Sequence, residues 1–235
     1  LYRRVIDWFD WWIIESWNIE HNNLHHYYLG EQSDPDLTER NLSILRDSDL
    51  PYIVKKLILF ISVFIWKWFY YAPNTYKYYC LNKFKITNID KYNKISTETL
   101  YSPFTIIPYI LNNKEWMGNF FVNVLFPYIL YMYCIIPLFW SVIFYITNID
   151  ITNIYNVYVN ILLAELLTNL HSFIIIIPNH SGNDIYRFNT HVTPKSGEFY
   201  LRQIISSVNY TSGNDFIDFL HGWLNYQIEH HIYPD

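Results

Sequence analysis

Cysteine is almost missing from this chain. Only Cys80 and Cys134 occur, which excludes a disulfide framework and any cysteine-built zinc site. Charge is also scarce, with Asp, Glu, Lys and Arg making up 16% of the 235 residues. The net charge of −5 argues against a nucleic-acid partner, because no basic surface is available to track phosphates. No cleavable signal peptide is recognisable at the start. Hydrophobic residues, by contrast, reach 51% and aromatics 20%, a balance that suits a membrane-embedded chain better than a soluble domain.

Two runs lack charge for long enough to cross a bilayer. Residues 120–146 contain no charged side chain and hold Pro127 and Pro137, which transmembrane helices tolerate. Residues 154–178 are apolar apart from Glu165, His171 and a few amides. Each exceeds the roughly 20 apolar residues that a bilayer core requires. The turn between them, 147–152, carries Asp150 and neither Lys nor Arg. Basic residues gather outside the hairpin. Arg40, Arg46, Lys55, Lys56, Lys77, Lys83, Lys85, Lys91, Lys94 and Lys114 precede it, and Arg187, Lys195 and Arg202 follow it. This asymmetry places both flanks on the cytoplasmic side and the turn on the far side.

A third apolar run, 53–72, contains Lys55, Lys56 and Lys67, with Trp66, Trp68, Tyr70 and Tyr71 towards one end. Lysines at mid-span cost a few kcal/mol each, so an interfacial helix is preferred to a span, with its cations snorkelling to the headgroups. The same choice arises for residues 5–17, where Trp8, Trp11, Trp12 and Trp17 resemble an aromatic belt. The Asn-, Ile-, Tyr- and Lys-rich stretches 85–94 and 146–155 look like drift in tolerant loops, and little function is expected there.

Five of the nine histidines fall in two clusters, H-N-N-L-H-H at 21–26 and Q-I-E-H-H at 227–231. At about 100° per residue on an α-helix, His21 and His25 share a face and His26 is turned away by about 100°. Gln227, His230 and His231 fall on one side of their helix by the same arithmetic. Neutral imidazoles bind iron, zinc or copper without help from cysteine. Two such clusters in one membrane chain point to a shared metal centre. They lie some 200 residues apart, so an even number of crossings must separate them. The hairpin supplies two, provided that 53–72 does not cross.

H-N-N-L-H-H-Y-Y-L-G-E-Q-S-D-P-D (21–36) resembles the second histidine box of the membrane fatty acid desaturases, and L-N-Y-Q-I-E-H-H-I-Y-P-D (224–235) resembles their third. The stretch N-H-S-G-N-D-I-Y-R-F (179–188) is similar to one found in some acyl desaturases. The resemblance covers nearly the whole chain. It implies a single all-α integral membrane domain, with a transmembrane hairpin, interfacial helices and a cytosolic, histidine-rich cap holding two iron ions. It further implies O2, an acyl-CoA or acyl-lipid substrate, membrane lipids and electrons from cytochrome b5 or a similar donor, in the endoplasmic reticulum membrane. His21, His25, His26, His230 and His231 are the implied ligands. His180, just past the cytosolic end of the second span, matches an additional one. Gln227 replaces the first histidine of the third box, a feature of front-end desaturases. It either binds metal, acts through water, or only hydrogen-bonds. The family's first box, with two more histidines, should precede the second. Residues 1–20 hold no histidine and the chain opens on Leu1, so a fragment that lacks this box is expected.

Other polar residues have plainer readings. His171 is expected to be a structural contact with Asn169 or Glu165, and His191 and His221 are expected not to bind metal. Glu229 either orients an imidazole or faces solvent. Asp34 and Asp36 either support the histidines or form a turn around Pro35. Arg187 and Arg202 suit a phosphate or thioester headgroup, but the cytoplasmic charge bias explains them equally. The sequons at Asn41, Asn179 and Asn209 lie on the cytoplasmic side and are expected to stay unglycosylated. Competing functions are an acyl hydroxylase or sphingolipid desaturase on the same scaffold, and a transporter or inactive membrane remnant. A transporter would place polar groups at mid-membrane rather than outside the spans.

Overall fold

A computed structural model of the chain describes residues 13–87, 100–182 and 184–233. The proposed aromatic belt at Trp8, Trp11 and Trp12 lies outside the described residues, as do Lys91 and Lys94. The described residues are helical, and their one β-contact is a parallel bridge between Glu31 and Phe188.

The chain opens with α1 (Ile14–Trp17), prolonged by Asn18–His25 in a wider, π-type winding and by His26–Tyr28. After two short turns come α2 (Tyr52–Phe64) and α3 (Ala72–Thr87), joined through a π-type turn at Lys67–Tyr71. α4 (Pro103–Asn112) starts after Ser102, whose amide donates to the Thr105 hydroxyl, with proline in its first turn.

Two long helices follow, α5 (Lys114–Thr147) and α6 (Ile151–His180), each long and apolar enough to cross a membrane. The turn between them is built from short polar side chains. Asn148 takes the left-handed conformation that stops α5, and the Asp150 side chain accepts from the Thr152 amide to start α6. Most of their surface faces outward, with Leu138, Tyr145, Leu163 and Leu167 all at least half exposed. At 1.5 Å per residue α5 runs about 51 Å, well beyond a bilayer core of about 30 Å. Its first turns therefore belong to the cap. Trp116 is buried there with Tyr76, Leu81 and Phe84 of α3 and Ile106 and Ile110 of α4, and its carbonyl accepts from the Tyr76 hydroxyl.

The apolar run 53–72 is broken at Ile65, whose amide bonds back to Ser62. Beyond the break Trp66, Tyr70 and Tyr71 pack against Phe173, Ile176 and Ile177 of α6. Lys67 does not snorkel. It is 8% exposed and its Nζ lies 2.5 Å from Glu165 Oε2 and 3.0 Å from the Tyr128 hydroxyl. Trp68 Nε1 donates to the other Glu165 oxygen at 2.7 Å, and Asn169 Oδ1 accepts from the Lys67 amide at 2.8 Å. Glu165 and Asn169 thus serve this lysine rather than His171, whose ring instead meets His221 at 5.5 Å.

Three shorter helices close the cap: α7 (Gly197–Ile205), α8 (Asp215–Leu220) and α9 (Gln227–Ile232). Ser196 and Asn214 cap α7 and α8 with side-chain oxygens. α9 packs along α7, which seats the second histidine cluster over α1.

Candidate metal centre

The first cluster sits where α1 is wound most loosely. The His26 amide donates to His21 O five residues back, and this wider turn stacks positions five apart. His26 Nε2 therefore lies 3.1 Å from His21 Nε2, instead of pointing away as α-helical spacing predicts. The His21 and His25 rings are 5.3 Å apart, so all three imidazoles face one cavity.

On α9 the neighbouring His230 and His231 diverge to two sides of that cavity. His230 stacks with His21 and meets His26 edge-on, at 5.7 and 4.7 Å. His231 meets His25 at 5.0 Å and His180, at the end of α6, at 5.6 Å. Two three-histidine sets result, His21–His26–His230 and His25–His180–His231, and within each the ligand atoms lie within 4.8 Å of one another. A third grouping, His21, His25 and Asp36, links the two.

Surrounding groups fix how the rings point. Asp34 Oδ1 is 2.8 Å from His25 Nδ1 and also accepts from the Asp36 amide, while its Oδ2 accepts from the Gly30 amide. Gly30 has φ +73°, and a Cβ there would stand 2.7 Å from Ser206 Oγ, so glycine is what lets this turn close. An ionised carboxylate only accepts, so His25 carries a proton on Nδ1 and turns Nε2 inward. Ser207 Oγ is bonded to Nδ1 of His231 and orients that ring, and Gln203 Nε2 donates to His26 O. His25 Nε2 and His231 Nε2 then face each other at 3.2 Å.

Two nitrogens so placed need a cation between them, either a proton or a metal ion. Metal–imidazole bonds of about 2.0–2.1 Å separate neighbouring ligand nitrogens by about 3.0–3.4 Å. Both close pairs match that spacing. Burial, reinforced by the other imidazoles, holds His21 and His231 well below the usual imidazole range and brings His26 to about 2. Burial also lowers His230. These rings are neutral at pH 7 and offer lone pairs. Burial alone would lower His25 too, but the charge and hydrogen bond of Asp34 outweigh it and raise His25. Positive charge is favoured at this point in the cavity. Asp36, buried beside Asp34 and opposed only partly by His25, is pushed up to about 6. The residues present fit a pair of metal ions.

Gln227 reaches the cavity with its amide nitrogen 3.0 Å from His231 Nε2, and its oxygen is bonded to Asn179. Asp34 and Asp36 are both buried at the centre rather than serving only a turn. The remaining candidates lie elsewhere. Glu229 is exposed and accepts from Asn209, so it orients no imidazole. His191 pairs with Glu31 and stacks on Tyr28. Arg187 pairs with Glu39, and Arg202 pairs with Glu198 and Glu31, so both cations have partners within the chain. Ser207 and Asn179 are the functional residues that sequence reasoning missed. Asn179 directly precedes a candidate ligand, which is a faint signal, whereas Ser207 in S-S-V-N carries none.

Comparison with curated proteins and with solved structures finds no match. A family model for fatty acid desaturases, in contrast, matches residues 1–235. That match spans the whole chain, including both histidine clusters and the helical hairpin, and the chain belongs to the fatty acid desaturase family.

Proposed function

We propose that this chain is the core of a membrane-bound acyl desaturase that uses O2 and two electrons at a histidine-held di-iron centre to introduce a C=C bond into an acyl chain. Family membership makes it a desaturase-type oxidoreductase. The observation that carries the finer reading is the division of six histidines, drawn from both terminal clusters and from the end of α6, into two adjacent sets of three.

His21, His26 and His230 would hold one iron, and His25, His180 and His231 the other. The iron pair supplies the oxidising power needed to remove hydrogen from an unactivated methylene, and the protein supplies ligation, positioning and exclusion of water. Asp34 keeps the His25 proton on Nδ1 and so leaves Nε2 free to ligate. Ser207 orients His231 through the corresponding ring nitrogen. Burial of His25, His26 and His231, each no more than 1% exposed, keeps water from the ligating edge. The substrate would be an acyl-CoA or acyl-lipid, with Q-x-x-H-H favouring front-end regiochemistry. Electrons would come from cytochrome b5 or a similar donor, at an endoplasmic reticulum membrane with the cap in the cytosol.

Two measurements test this. Iron analysis of the purified full-length protein should give two irons per chain, and an iron-free protein would remove the basis of the proposal. Expression in a desaturase-deficient yeast fed defined fatty acids, followed by lipid mass spectrometry, should reveal a new double bond. A hydroxylated product there would instead identify a hydroxylase on the same scaffold.

A further inference from the structure

Gln227 lies one helical turn before His231, and the orientation of its amide is set from outside the metal centre. The carbonyl of Leu224 can only accept, so the edge of Asn179 that faces it is the amino group, at 2.8 Å. The same amino group donates to Gln227 Oε1 at 2.9 Å. This engages the oxygen end of Gln227 and leaves its own amino group facing His231 Nε2 at 3.0 Å. Turning Asn179 over would set oxygen against oxygen at Leu224 and at Gln227, and turning Gln227 over would set its amino group against that of Asn179. Asn179 Oδ1 stays buried without a partner among the described residues, a smaller penalty than either reversal. Asn179 and Gln227 are 1% and 3% exposed, so water does not compete for these bonds.

An amide NH2 offers two hydrogens and no lone pair to a metal. We propose that Gln227 is not a metal ligand but a fixed hydrogen-bond donor, locked by Asn179, which the His25–His180–His231 set presents to an oxygen-atom ligand such as water or dioxygen. This rests on the metal-centre reading. Q-I-E-H-H then supplies one imidazole to each histidine set and one donor to the second. Asn179 is a positioning residue that acts through Gln227.

Cobalt(II) and inorganic azide test this on the full-length protein in detergent. Cobalt affinity is read by chelator competition, and azide affinity from the visible spectrum of the cobalt form. Gln227→Leu should keep cobalt affinity within about threefold of the parent, yet bind azide about tenfold more weakly, the scale of one lost hydrogen bond to an anion. His231→Ala, by contrast, should lose the cobalt of its own set. Gln227→Glu keeps the side-chain shape, replaces the donor by an acceptor and serves if the leucine variant does not fold. It should bind cobalt more tightly and lose azide binding. A Gln227→Leu protein that loses cobalt as fully as His231→Ala would overturn the inference and make Gln227 a ligand. Azide binding to Gln227→Glu as strong as to the parent would overturn it as well. A parent that binds no cobalt would sink the metal-centre reading itself.

Discussion

At the scale of single residues, the arrangement of the histidines depends on groups outside the two sets. Asp34 spends both carboxylate oxygens on fixing His25 and the turn at Gly30. Replacing it by Ala should lower metal affinity about 10- to 100-fold, the usual effect of losing a carboxylate that orients a histidine ligand, as measured by chelator competition. Asn41 gives a second residue-scale expectation. Its amide nitrogen donates to Pro35 O and to the Tyr70 hydroxyl, both at 2.7 Å, and it is 1% exposed. A folded chain has no room for a glycan there, whichever side of the membrane it faces. Endoglycosidase should leave the electrophoretic mobility of the full-length protein unchanged, and a shift that disappears in Asn41→Gln would contradict this placement. The D-P-D and Asn-x-Ser strings were visible in the sequence. What they bond was not, because the way the chain folds back decides it: Asp34 turns to His25 and Gly30 nearby, and Asn41 reaches across to Tyr70.

At the scale of elements, two devices stand out. The first is the wide winding of α1, where positions five apart align and carry His21 and His26 into the same set. Inserting an alanine between Asn22 and Asn23 should set His21 and His26 six positions apart, out of register in either winding, and reduce bound iron from about two to about one per chain by elemental analysis. The second is the Lys67–Glu165 pair between the break after α2 and the middle of α6. Its side chains are only 10% and 15% exposed, so removing one partner strands a buried charge. Lys67→Met should destabilise by about 3–5 kcal/mol, and adding Glu165→Gln should recover most of that loss. Thermal unfolding of the two variants in detergent reads the difference, and equal losses in both would deny that the pair is coupled. Reading the sequence by α-helical spacing and charge misjudged both devices. It assumed α-helical spacing through 21–26, and it counted Lys67 as a cost because Glu165 lies 98 residues further along.

At the scale of the whole molecule, the metal centre would join the start, the middle and the end of the described chain. His25 and His231 are 206 residues apart in sequence and 3.2 Å apart in space. A metal bound there restrains a very long loop and exists only in the folded state, so binding and folding are linked. Stripping the metal with a chelator should lower the Tm and increase hydrogen exchange in α9 first, because α9 is short and joins α1 through its histidines. Unchanged exchange in α9 after stripping would show that packing against α7 alone holds it.

The sequence by itself determined the solvent of this protein and the chemistry of its centre. Long uncharged runs suit a lipid-like environment, and histidine clusters in a chain nearly free of cysteine leave imidazole as the ligand type for a metal. Both are properties of residue type and short-range spacing, which a linear text preserves. Only the tertiary structure decided how six histidines divide into two sets of three, which way Gln227 turns its amide, and which carboxylate neutralises Lys67. Each of these is settled by a distance of about 3 Å between atoms far apart in the chain, and hydrogen bonds and ligand geometry are decided at that range.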